Sequence, residues 1–132
     1  SEPEKALHMV NVFSRCSLAS PSGAGFWVFG AGMALGRKVL RSNPTVNVFH
    51  RGFNACNTYA NGEQAMAQVT CPVLFALGEQ DQMTPAKAAQ TLVKAAQAAG
   101  KAVQIRHLPS GHHQMTEAPE ETLAALRDFL AQ

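Results

Sequence analysis

The chain has 132 residues, of which 46% are hydrophobic and 15% charged, with a formal net charge of +2. That is one domain's worth of sequence with enough apolar content to build a core, which excludes a chain disordered by composition. Positive charge is spread out, Arg37, Lys38 and Arg41 forming the one tight group, so no nucleic-acid footprint is expected.

The three cysteines, Cys16, Cys56 and Cys71, lack CxxC or any other metal-ligand spacing. They are expected to be small buried thiols in a reducing compartment. The most apolar stretch, residues 26–35, has about ten residues interrupted by glycines, whereas a membrane span needs about 20. No signal-peptide pattern opens the chain. A soluble, cytoplasmic protein is expected, with no membrane and no nucleic acid among its partners.

In chain order, residues 3–15 place Leu7, Val10 and Phe13 on one helical face. Residues 17–25 read as a loop from their Ser, Pro and Gly. Residues 25–42 are expected to be helical in their later part. Gly30, Gly32 and Gly36 each cost about 1 kcal/mol there relative to Ala. The GxxxG spacing of Gly32 and Gly36 implies either close packing or a broken helix. A third helix is expected with Asn43 as cap, Pro44 in its first turn, and Phe49, Phe53, Cys56 and Ala60 on one face. Asn61-Gly62 reads as its left-handed stop. The pattern then changes, and the chain divides into a helical segment, residues 1–62, and an alternating segment, residues 63–132.

The second segment predicts strand, helix, strand, helix. The apolar run from Cys71 to Leu77 suits a parallel strand covered on both faces. Thr84-Pro85 opens a helix to Gly100, with Ala88, Leu92, Val93 and Ala96 facing inward. Val103 and Ile105 alternate with Gln104 and Arg106 in a second strand. Pro119 starts a final helix in which Leu123, Leu126 and Leu130 recur at helical spacing. The fold class is therefore α/β, with two parallel strands joined by a crossover.

Two loops leave the C-terminal ends of these strands, where open α/β sheets hold their ligands. One carries Asp81 and the other His112 and His113. Asp81 taken alone reads as a turn and capping residue before Thr84-Pro85. Taken with His112, it is a carboxylate able to fix the tautomer of an imidazole and stabilise the imidazolium. His112 and His113 are adjacent on a loop with no further ligand at suitable spacing, so no metal is expected. No cofactor is implied. Met83 stands beside the acid and is a candidate for lining an acyl pocket, and gap-filling is the plainer role for it.

Gly78-Glu-Gln-Asp81 with Pro85, followed by Pro109-Ser-Gly-His112 with Glu117 and Pro119, resembles the end of the α/β-hydrolase fold. The resemblance covers residues 63–132 closely. Upstream, the Trp27 region and the helix around residues 53–62 resemble, more loosely, the helical cap that many members insert. The resemblance implies Asp81 as the acid and His112 as the base of a serine-hydrolase triad, in the family's order of nucleophile, acid, histidine. Trp27, Phe29, Met83 and His113 are then the substrate-binding candidates.

The family's nucleophile elbow reads GxSxG, and no Ser, Cys or Asp of this sequence has glycines at both flanking positions. The expected fold is accordingly the C-terminal half of an α/β-hydrolase, with the nucleophile unassigned. Completion is expected by self-association, as a homodimer or larger, or by a chain carrying the N-terminal half. The expected function is hydrolysis of an ester or related bond, the 132 residues alone being inactive. The alternative is a non-catalytic remnant acting as a self-associating or small-molecule-binding module, with an apolar ester-like ligand in the latter case.

Overall fold

A computed structural model of the chain describes residues 2–14 and 24–132, and the side chains of all these except residues 24–26. The expected loop at 17–25 lies almost wholly outside the described residues, as does Cys16. Four helices come first: α1 (Glu2–Phe13), α2 (Ala24–Ser42), α3 (Val48–Thr58) and α4 (Gly62–Gln68). They are followed by β1 (Val73–Gly78), a 3-10 turn (Ala86–Ala89), α5 (Gln90–Ala98), β2 (Val103–Leu108), α6 (Gln114–Glu117) and α7 (Pro119–Leu130).

The glycines of α2 mark close packing on α1 rather than a break. A Cβ on Gly36 would press on Leu7, and one on Gly32 would overlap Asn11 Oδ1. Leu7, Asn11 and Ser14 are buried on that face of α1, whereas Phe13, expected to face inward, is exposed. The Asn11 amide donates to the Leu7 carbonyl and to Met33 Sδ, so the polar residue satisfies itself inside the contact. A bidentate Arg37–Glu4 ion pair at 2.8 Å closes the outer side of the same two helices.

The third helix departs from its expected limits. It begins at Val48, with Asn47 as N-cap accepting from the His50 N–H, because Asn43 and Pro44 lie in the preceding turn. Asn61-Gly62 is no left-handed stop: Asn61 has φ −98°, and Gly62 is the first residue of α4. The division placed at 62 and 63 therefore falls at the start of α4, which packs on α5. Cys56 and Cys71 are exposed rather than buried. Phe49 and Phe53 of α3 line an apolar cavity with Leu7, Val10 and Leu40, and Phe53 remains 46% exposed.

Strands β1 and β2 pair in parallel, from Val73 opposite Val103 to Gly78 opposite Leu108. The turn at Gly100, with φ +71°, reverses the chain into β2 and needs a residue without a Cβ penalty. Arg106 reaches Asp128 on α7 at 3.7 Å, while Leu77, Ile105 and His107 wall a cavity with Val93 of α5. The sheet thus lies between α7 on one face and α5 on the other. The inner residues are small: Ala96 is fully buried on α5, and Ala118, Thr122 and Ala125 are buried along α7. Ala88, expected inside, is exposed.

The leucine stripe of α7 faces outward. Leu123, Leu126 and Leu130 are 52%, 43% and 78% exposed, because the Thr122 and Ala125 side of the helix fits against the sheet. Strand β1 likewise lacks the cover its composition suits, every residue from Val73 to Leu77 being only half-buried. Among the described residues no helix is long and apolar enough to cross a membrane.

The two edges of β1 differ. The Val73 N–H bonds the Ala102 carbonyl and the Glu79 N–H bonds the Leu108 carbonyl, so these residues point at β2. By alternation, Leu74 and Ala76 point their peptide groups at the other edge, where no strand pairs among the described residues. There the Gln114 side-chain amide donates to the Ala76 carbonyl at 3.0 Å.

Candidate active site

The loops that leave β1 and β2 are pressed together by Gly78. A Cβ at that position would collide with the carbonyl oxygens of Ser110 and Gly111, so only glycine lets the two loops meet. The contact is then pinned by backbone bonds. The Gln80 N–H donates to the Ser110 carbonyl at 3.0 Å, and the Asp81 N–H turns back to the Gly78 carbonyl at 3.3 Å. Ser110 is fully buried and Gly111 is buried beside it.

Asp81 is 8% exposed and every acceptor site of its carboxylate that faces the protein is in use. Oδ1 accepts from the backbone N–H groups of Met83 and Thr84, both at 2.9 Å, which is the local turn that an Asp two and three residues upstream can make. Oδ2 accepts from the Thr84 hydroxyl at 2.9 Å and lies 2.9 Å from His112 Nδ1. Burial works to raise the Asp81 pKa and is the largest single influence. The hydrogen bonds from the Thr84 backbone, from His112 and from the Thr84 hydroxyl, with the attraction of His112, together outweigh it. The carboxyl is therefore held below its ordinary range and stays charged.

His112 is held from behind while its ring remains 40% exposed. Its N–H and that of His113 both donate to the Ser14 carbonyl, at 3.0 and 3.2 Å, so the end of α1 supports the histidine loop. The Gly111 N–H donates to Glu117 Oε2 at 2.8 Å, and Glu117 is itself 5% exposed. The Gln114 amide anchors the following turn to β1, and the Thr122 hydroxyl donates to the Gln114 carbonyl at 3.2 Å. With Nδ1 facing a carboxylate, Nε2 is the ring nitrogen left to exchange a proton with a substrate or nucleophile.

A cavity of about 300 Å³ opens beside the ring, between His112, His113, Met115, Thr116, Ala76 and Leu126. Of the substrate-binding candidates, His113 lines it, its ring edge-on to that of His112 with centroids 6.5 Å apart. Met83 adjoins Asp81 through its backbone and is half-buried. Trp27 and Phe29 lie on α2, away from this cavity's wall. Trp27 is 79% exposed, and Phe29 packs edge-on against His8 at 5.4 Å. Among the described residues no cluster of His, Cys, Asp or Glu is arranged to hold a metal ion.

The sequence reading passed over four supporting residues. Thr84-Pro85 is expected to open a helix, and Thr84 instead closes a turn on Asp81 through its N–H and hydroxyl. Glu117 was visible as part of the histidine-loop pattern and without a role. Ser14 and Gln114 act through contacts across the fold, and nothing local in the sequence announces them.

The two parallel strands flanked by helices fit an α/β-hydrolase, and the chain is of that class. It matches the Dienelactone hydrolase family over residues 21–128 and belongs to that family, the match taking in both loops. No curated protein and no solved structure matches it.

Proposed function

We propose that Asp81 and His112 are the acid and base of a hydrolytic triad, and that the nucleophile is supplied by residues outside these 132. The contact of Asp81 Oδ2 with His112 Nδ1 at 2.9 Å carries this reading. His112 Nε2 takes the proton of the attacking hydroxyl or thiol as the nucleophile adds to the carbonyl carbon. Asp81 stabilises the imidazolium so formed. Collapse of the tetrahedral intermediate expels the alkoxide, which takes the proton back from Nε2. A water activated by the same nitrogen then releases the acid and restores the nucleophile. The family's name points to a lactone as substrate, a cyclic ester whose leaving alkoxide stays tethered to the acyl group.

In this reading residues 63–132 supply the catalytic half and residues 1–62 a helical cap, with Trp27 and Phe29 turned toward substrate once the site is complete. The open edge of β1 and the exposed leucines of α7 receive the chain or segment that carries the nucleophile. The half-burial of Val73 to Leu77 and the absence of the nucleophile pattern from the sequence support such a cover. The exposed leucines equally suit the second reading, a module that associates with its own copies and catalyses nothing.

Incubation of the native assembly with a fluorophosphonate probe, followed by intact-mass measurement, separates the two readings. The triad predicts a single covalent adduct that disappears in His112→Ala. An adduct that persists in His112→Ala contradicts the assignment of the base. No adduct, with a homo-oligomer in light scattering, establishes the module.

A further inference from the structure

The acid–histidine contact has a third participant. Asp81 Oδ2, His112 Nδ1 and Thr84 Oγ1 lie mutually 2.9, 2.9 and 3.1 Å apart. Counting hydrogens decides what this triangle can be. The threonine hydroxyl has one proton and an ionised carboxylate has none. If His112 carried its proton on Nε2, the bare Nδ1 would face the carboxylate lone pairs, and the single hydroxyl proton could relieve only one of the two acceptors. With the proton on Nδ1, all three sides are satisfied. The hydroxyl donates to Oδ2, and the ring N–H donates to Oδ2 and leans on the lone pair of Thr84 Oγ1.

We propose that Thr84 is a positioning residue of this site, whose hydroxyl closes the triangle and fixes the His112 proton on Nδ1. The inference rests on the Asp81–His112 assignment and adds a member to it. The local chain makes the placement rigid. The Thr84 N–H is bound to Asp81 Oδ1, and Pro85 restricts the Thr84 backbone to the extended region before the 3-10 turn. The hydroxyl also spends its proton on Oδ2, which favours the charged form of Asp81. Its loss would let the carboxyl protonate at a higher pH and would remove one of the two contacts that hold the proton of the neutral ring on Nδ1. The other ionisable groups around the pair are few. His112 faces Asp81 directly, His113 stands beside the His112 ring, and Glu117 binds the backbone of the preceding residue.

Thr84→Val tests this cleanly, since it keeps the shape and the backbone N–H and removes only the hydroxyl. Thr84→Ser restores the hydroxyl, and Thr84→Ala serves should the valine variant fail to fold. The readouts are the Asp81 carboxyl titration and the His112 ring-nitrogen resonances, by NMR of labelled protein. The wild type and Thr84→Ser are expected to share one Asp81 midpoint and a His112 protonated on Nδ1. In Thr84→Val and Thr84→Ala the Asp81 midpoint rises toward the ordinary carboxylate value, and a share of the neutral His112 ring carries its proton on Nε2 instead of Nδ1. An unchanged midpoint in both variants overturns the role of Thr84. Asp81→Asn is the control for the underlying pair: if it leaves the Nδ1–H signal unchanged, the acid–base assignment itself falls, whatever Thr84 does.

Discussion

The loops around Asp81 and the strand that delivers them are built to different standards. At the loops, Asp81, Ser110, Gly111 and Glu117 are buried, the Gln80 N–H bonds the Ser110 carbonyl across the contact at Gly78, and the Gly111 N–H bonds Glu117. On β1, five successive apolar residues reach only half-burial, and α7 leaves three leucines exposed. Polar groups packed as an interior beside apolar groups left at the surface invert the usual arrangement. The loops are held by bonds within the chain, whereas the strand and α7 have the composition of surfaces that something else covers.

The largest expected effect breaks the tight side of this contrast. Gly78→Val should drive a side chain into the Ser110 and Gly111 carbonyls and destabilise the protein by about 3 kcal/mol in urea unfolding, the upper end for overpacking. An effect below about 1 kcal/mol would show that the loops adjust freely. Glu117→Ala removes the buried acceptor of the Gly111 N–H and should cost about 2 kcal/mol, with Glu117→Gln recovering part of it.

Acid sharpens the same side. The Asp81 carboxyl is depressed in the folded protein, so its stabilisation is fully present above the ordinary carboxylate pKa of 3.8. It is lost as pH falls through the lower, folded value. Unfolding free energy measured against pH should show that acid-side loss, and Asp81→Asn should abolish its share of it.

The loose side predicts small stability effects and a change in association. Gln114→Ala should cost about 1 kcal/mol while uncovering the Ala76 carbonyl at the open edge, so that light scattering registers more self-association. Replacing Leu123, Leu126 and Leu130 one at a time with Ser should change stability by about 0.5 kcal/mol or less each, yet weaken any assembly that forms. A large loss of stability in the isolated chain would mean that these leucines are already covered.

The same contrast explains what the sequence disclosed. Strands β1 and β2 were legible because composition and alternation are local, and the Asp81 and His112 loops because turn residues and short motifs are local as well. The α1–α2 contact was half-legible: the Gly32 and Gly36 spacing announced close packing, and nothing announced that Asn11 rather than Phe13 would face it. Helix α3 was misplaced at both ends because two Asn-containing turns looked alike, and Asn47 rather than Asn43 makes the cap. Its cysteine was expected inside because periodicity finds an apolar face without showing what meets it. The leucines of α7 mislead for the same reason: the Ala and Thr side of the helix is buried against the sheet, and the Leu side is left exposed. Gln114 and Ser14 owe their places to partners 38 and 98 residues away along the chain, beyond the reach of local patterns, and Thr84, held locally by Asp81, meets His112 only across the fold.

The central claim is that Asp81 and His112 work as a catalytic pair, and lactone hydrolysis by the native assembly tests it most directly. Asp81→Asn keeps the shape of the side chain and upsets the histidine tautomer. In this variant kcat is expected to fall by about 10⁴-fold with KM little changed. A loss of less than about tenfold, or a wild-type assembly that hydrolyses no lactone, would contradict it.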